Sequence, residues 1–185
     1  MKSSSKQETK TVIKAIFAWE DEKEEKWLEE MAANGWRLEK VYPYVYTFRR
    51  CAPEKIVYRL DYMASTEKNY KEYLTLFKDA GWELLASFAG WHYFRINAQN
   101  GNVPEIYNSD RAKAKKYRRL FFTALTLFLL LLNPLLQMID RTIHAENLLL
   151  RLAFDGFFWL FILFAIYGII RIWLKIRKLE SKHLE

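Results

Sequence analysis

Leu120–Ile139, LFFTALTLFLLLLNPLLQMI, is a run of 20 residues without a formal charge. At about 1.5 Å rise per residue it makes a helix about 30 Å long, the thickness of a bilayer's hydrocarbon core. A second run, Leu152–Ile170 (LAFDGFFWLFILFAIYGII), carries Asp155 as its one charge. The polar stretch Asp140–Asn147 (DRTIHAEN) joins the two. Residues 120–174 therefore read as an all-α transmembrane hairpin, and whatever precedes them is a domain held at a membrane surface.

The charge pattern agrees with that reading. The 185 residues carry a formal net charge of +7. Residues 1–107 hold 16 Lys and Arg against 16 Asp and Glu, so the excess lies elsewhere. Arg111, Lys113, Lys115, Lys116, Arg118 and Arg119 stand against Asp110 alone ahead of the first run, and Arg171, Lys175, Arg177 and Lys178 follow the second. Cations at the ends of a hairpin are not a nucleic-acid footprint, and no nucleic-acid partner is expected. The positive-inside rule places both termini in the cytoplasm of a two-span cell-membrane protein. The six cations before the first run are expected to meet lipid headgroups, which makes the bilayer itself a partner. The apolar run Val12–Trp19 is broken by Lys14 and too short for a secretory leader, and a single cysteine, Cys51, suits a reducing compartment.

Upstream, one pattern occurs twice. Asn34-Gly35-Trp36 over Ala80-Gly81-Trp82 sets an offset of 46, which runs without gaps from Trp27 over Tyr73 to Arg49 over Arg95. Six of these 23 pairs are identical: Leu28/Leu74, Gly35/Gly81, Trp36/Trp82, Leu38/Leu84, Phe48/Phe94 and Arg49/Arg95. Such spacing suggests duplication of one supersecondary unit. Each half reads strand–helix–strand–strand. The opening strands are Thr11–Ala18 and Ile56–Met63, with period-two alternation. Helices follow over Asp21–Asn34 and Thr66–Ala80, the second with Tyr70, Tyr73, Leu74 and Phe77 on one face. The acids Asp21, Glu22, Glu24 and Glu25 favour the first helix's dipole, and Gly35 and Gly81 stand where a left-handed residue ends each helix. Two hairpins, turning at Tyr42–Tyr44 and Ala89–Gly90, complete the halves. The expected class is α+β: two such repeats forming a mainly antiparallel sheet with two helices, then the hairpin. Its divisions are a disordered start at 1–10, the domain at 11–96, a linker and basic segment at 97–119, the hairpin at 120–174 and a basic tail at 175–185.

The paired Gly-Trp helix ends, the aromatic hairpin, the basic linker and the terminal apolar pair resemble an uncharacterised bacterial family of short membrane proteins. Its members carry a domain of unknown function and are often encoded beside PadR-type repressors, so the resemblance implies no activity. More loosely, the doubled plan is similar to the ligand-binding modules of the GyrI-like superfamily, which is an analogy of fold.

Aromatics make up 17% of the chain. Trp36, Tyr46, Phe48, Trp82, Trp91 and Phe94 fall on strands, where two uses stay open: core beneath the helices, or an outward face for an apolar ligand or a partner. His92 alternates with Phe94 on the same strand. Arg49 and Arg95 hold equivalent strand-end positions, suited either to an anionic ligand or to a neighbouring carboxylate. Asn133 and Asp155 are the polar candidates inside the spans; Asp155 has either Arg151, four residues before it, as a neutralising partner, or a contact with Asn133 or Gln137 of the first run or with a partner subunit. Asp140, His144 and Glu146 lie close in the connecting loop, but such a short polar cluster is too common to indicate a metal. No catalytic set and no cofactor site is legible. The function expected is a non-enzymatic, membrane-anchored regulatory or protein-interaction module, alone or as a homo-oligomer. A membrane-tethered sensor holding a small apolar or amphipathic ligand in an aromatic cleft is the alternative.

Overall fold

A computed structural model describes residues 8–98, 106, 107, 109–143 and 148–181. The chain forms two compact units, Met1–Asn108 and Ser109–Glu185.

In the first unit the order is β1 (Thr9–Ile13), α1 (Asp21–Ala33), β2 (Trp36–Tyr42), β3 (Val45–Arg50), β4 (Ile56–Tyr62), α2 (Tyr70–Asp79), β5 (Glu83–Phe88) and β6 (Trp91–Asn97). The series β-α-β-β thus runs twice. Gly35 at φ +79° and Gly81 at φ +85° follow the two helices, a conformation in which glycine is favoured. A bulge interrupts β2 between Leu38 and Lys40, and another interrupts β5 between Leu84 and Ala86, again 46 residues on. β1 begins and ends earlier than its sequence suggested. Lys14 N–H donates to the Tyr44 carbonyl, and Phe17 and Trp19 then stack at 5.0 Å as the chain turns into α1. α2 starts at Tyr70 because Ala64–Asn69 are taken up by successive turns.

The expected single sheet is instead two antiparallel three-stranded sheets, β1-β3-β2 and β4-β6-β5. Side chains bond the free edges of β2 and β4. On the free edge of β2, Leu38 N–H donates to the Tyr58 hydroxyl (3.3 Å), and Arg95 Nη1 donates to the Leu38 carbonyl (3.5 Å). On the free edge of β4, Tyr58 N–H donates to Glu29 Oε1 (3.3 Å) and Leu60 N–H to Glu25 Oε1 (2.8 Å). A strand edge whose donors are already satisfied has nothing to gain from another strand.

One core lies between the sheets: Leu28 and Ala32 of α1, Leu38, Tyr46 and Phe48 of the first sheet, and Ile56, Tyr58, Leu60 and Tyr93 of the second. Trp27 meets Tyr46 and Phe48 edge-on at 4.9 and 5.6 Å. On the other face of the second sheet, Phe77 of α2 stacks on Phe94 at 4.0 Å, and Tyr73 lies 5.5 Å from His92. This sheet is covered on both faces, so β4 and β6 lose the alternation of a half-exposed strand.

The second unit is a pair of helices, α3 (Asp110–Ile143) and α4 (Leu148–Ser181), each of 34 residues. They run antiparallel, for Arg118 near the start of α3 pairs with Glu180 near the end of α4. The basic residues 111–119 form the opening of α3 itself, and Pro134 lies inside that helix. Among the described residues one segment, Leu152–Ser181, is long and apolar enough to cross a membrane by length and composition. The expected pair of spans thus reduces to one that meets this measure. The six leading cations of α3 shorten its apolar run from one end, and at the other the side chains of Leu135 and of Met138 onward lie outside the described residues. Those of Asp140, His144, Glu146 and Arg151 do too.

Candidate functional site

The buried stripe of α1 is Asp21, Glu24, Leu28 and Ala32, spaced for one helical face. Its acidic end is the unexpected part. Glu24 is 5% exposed, and its Oε1 accepts from the Tyr46 hydroxyl at 2.8 Å and the Tyr93 hydroxyl at 2.7 Å. One phenol comes from each sheet, so a single carboxyl ties the helix to both. Burial pushes this carboxyl above the ordinary carboxylate range; the two phenols act against that and the nearby Asp21 adds to it. Burial, together with the charge of Glu24, also raises the phenols of Tyr46 and Tyr93, which keeps them as donors. The sequence reading gives Glu24 as one of the acids that favour the helix dipole. Its spacing of four from Leu28, on the apolar stripe, was the available signal.

His92 is buried, with Nε2 3.0 Å from the Met63 carbonyl and Nδ1 2.7 Å from the Ser87 hydroxyl. A carbonyl can only accept, so Nε2 carries the proton and Nδ1 accepts from Ser87. Burial lowers the imidazole's pKa and keeps it neutral in this role. A serine hydroxyl on a neutral imidazole resembles half of a nucleophilic dyad. Here it joins β5 to β6 across directly paired positions, and Tyr70 and Tyr73 cover the ring.

The other aromatic candidates do not assemble into one surface. Tyr46, Phe48, Trp82 and Phe94 are each 3% exposed or less. Trp36 is half-buried, with Lys10 and Arg50 over its ring at 5.5 and 4.8 Å, and Trp91 packs edge-on against Tyr62 at 5.4 Å. Arg49 pairs with Glu39. Arg95 makes two bonds to Glu83, Nε to Oε2 at 2.9 Å and Nη2 to Oε1 at 2.8 Å. These bonds raise the Arg95 pKa and hold the Glu83 carboxyl below its ordinary range. Arg95 also lines a cavity of about 190 Å³ with Arg37, Glu54, Glu83, Ile56 and Ile96. Arg37 and Glu54 face each other there at 3.6 Å. A cavity walled by paired charges suits a small polar group rather than an apolar one.

In the second unit, Lys116 Nζ and Lys175 Nζ lie 4.9 and 4.5 Å from the centre of the buried Tyr117 ring, one from each helix. On α4, Arg171 lies 5.9 Å from the Tyr167 ring and Arg177 4.9 Å from that of Trp173. Of the remaining α3 cations, Arg111, Lys115 and Arg118 are exposed and Lys113 and Arg119 half-buried. Asn133 accepts from Gln137 at 2.9 Å, one turn along α3, and Asp155 is half-buried on α4. Among the described residues no group of three or more His, Cys, Asp or Glu could hold a metal ion.

Two three-stranded antiparallel sheets with their helices, followed by a long helical pair, define a mixed α+β protein with an apolar C-terminal helix. The chain belongs to the family described as protein of unknown function (DUF2812), whose model matches residues 20–131. The match opens just before α1, takes in every later element of the first unit and ends inside α3. No curated protein and no solved structure matches the chain.

Proposed function

We propose that this protein is a non-enzymatic, membrane-anchored interaction module. In this reading α3 and α4 cross the cell membrane as a hairpin with both termini cytoplasmic, and the α+β unit engages another membrane or regulatory protein. The observation that carries it is the distribution of exposed apolar surface: among the described residues, 21 of the 27 exposed large hydrophobics lie on α3 and α4. An aqueous protein does not leave so continuous an apolar surface uncovered, whereas lipid tails cover it without loss. The α+β unit supports the second half of the reading. Most of its strand aromatics are spent on its own core, which speaks against a cleft for an apolar ligand. Exposed Ile13 and Tyr42 flank the half-buried Val45 in register across the three strands of the first sheet, which offers apolar surface to a protein partner.

Alkaline carbonate extraction of membranes tests the anchor, and cysteine labelling tests the topology. In a Cys51→Ser background, Thr142→Cys should react with an impermeant maleimide on intact cells, and Ser181→Cys only after permeabilisation. Release of the protein by carbonate would overturn the anchor, and a protected Thr142→Cys would overturn the topology.

A further inference from the structure

We propose that the paired start of α3 and end of α4 form a two-helix binding site for the phosphate of anionic glycerophospholipids, an inference that rests on the membrane anchor proposed above. The charge run ahead of the first apolar stretch supplies only half of this site. The antiparallel pairing supplies the rest, by bringing the four cations of α4 to the same end, as the Arg118–Glu180 pair and the approach of Lys175 to Tyr117 require. Ten lysines and arginines then stand against Asp110 and Glu180 over residues 110–119 and 171–181, and Glu180 is already engaged by Arg118. A net positive field of this density attracts anions.

Two features select a lipid over other anions. Arg171 and Arg177 each lie against an exposed aromatic ring one turn back, Tyr167 and Trp173. Tyrosine and tryptophan settle at headgroup depth, and an arginine held beside one presents its planar fork to a phosphate. The exposed apolar residues Ile170 and Leu174 sit beside these couples on α4, where acyl chains continue from the headgroup. A nucleic acid or a free anion would have no use for that apolar neighbourhood.

The full-length protein in mild detergent, offered phosphatidylglycerol and phosphatidylcholine of the same chain length, reads this by native mass spectrometry. Phosphatidylglycerol should be retained about tenfold over phosphatidylcholine. Arg171→Gln with Arg177→Gln should lose most of that preference, and Arg171→Lys with Arg177→Lys should keep a larger share of it. Equal retention of the two lipids by the wild-type protein would overturn the site, as would an undiminished preference in the glutamine variant. Displacement of the bound lipid by millimolar inorganic phosphate would also overturn it, since the site would then read a free anion. Carbonate extraction of the same proteins separates the two proposals: a chain that stays in the membrane yet ignores the headgroup refutes the lipid site alone.

Discussion

Replacing Glu24 by glutamine is expected to free the first unit's stability from one source of pH dependence. The carboxyl's pKa in the folded state lies above the ordinary value of 4.5, because burial penalises its charge. A raised acid favours the folded state most when protonated. Its contribution is therefore fully present below 4.5 and is lost as pH rises through the raised value. Glutamine keeps an acceptor for both phenols and has no charge to bury, so Glu24→Gln should match the wild type in acid and exceed it at neutral pH. The phenols give the complementary measurement. A hydrogen bond to a charged group is worth about 1.5–3 kcal/mol and one to a neutral group about 1 kcal/mol. Tyr46→Phe or Tyr93→Phe should therefore cost about 2 kcal/mol where Glu24 is ionised, close to a 30-fold rise in local opening. In acid, or in the Glu24→Gln background, the loss should shrink to about 1 kcal/mol, near fivefold. Amide hydrogen exchange of the full chain, followed by mass spectrometry on the β3 and β6 peptides between pH 4 and 8, reads both effects. Unchanged protection in the phenylalanine variants would refute the reasoning, as would a Glu24→Gln protein that keeps the wild-type pH slope.

Two further perturbations distinguish local strain from long-range pairing. Gly35→Ala should destabilise more than Gly81→Ala, because a Cβ at Gly35 would sit 2.8 Å from the Cys51 carbonyl, whereas at Gly81 the nearest atom is Ile96 Cδ1 at 3.5 Å. The left-handed backbone alone costs about 1–2 kcal/mol at each position, so equal losses in thermal unfolding would show that the contact at Gly35 relaxes freely. Glu25→Ala should expose the Leu60 N–H on the β4 edge and cost about 1–2 kcal/mol, seen as faster exchange at that amide with the β6 amides less affected. Unchanged exchange at Leu60 would mean that α1 does not guard this edge.

Much of the first unit was legible because its cues are local. Gly35 and Gly81 mark the ends of α1 and α2 through backbone sterics alone, and two-residue turns between β-rich runs mark the hairpins. The offset of 46 aligns the elements without reference to packing. The direction of the strand aromatics was not legible in this way. Alternation on β6 separates His92 and Phe94 from Tyr93, but α2 covers one side and the shared core the other, so neither set is outward. The α1 acids show the same limit. In sequence Glu24 and Glu25 are acids that favour the helix dipole; in the fold Glu24 holds two phenols, while Glu25 and Glu29 satisfy the β4 edge.

By itself the sequence determined which segments are helix, strand and turn, and that the net positive charge lies beside the apolar runs. These follow from φ/ψ sterics, hydrophobic period and composition, which act over a few residues. Only the tertiary structure decided that six strands make two sheets, that Glu24 is buried, and that Lys116 of α3 and Lys175 of α4 meet at the Tyr117 ring. Each of these depends on which donor, acceptor or charge distant in sequence arrives opposite, up to 69 residues away for Glu24 and Tyr93. Local pattern carries no record of that meeting.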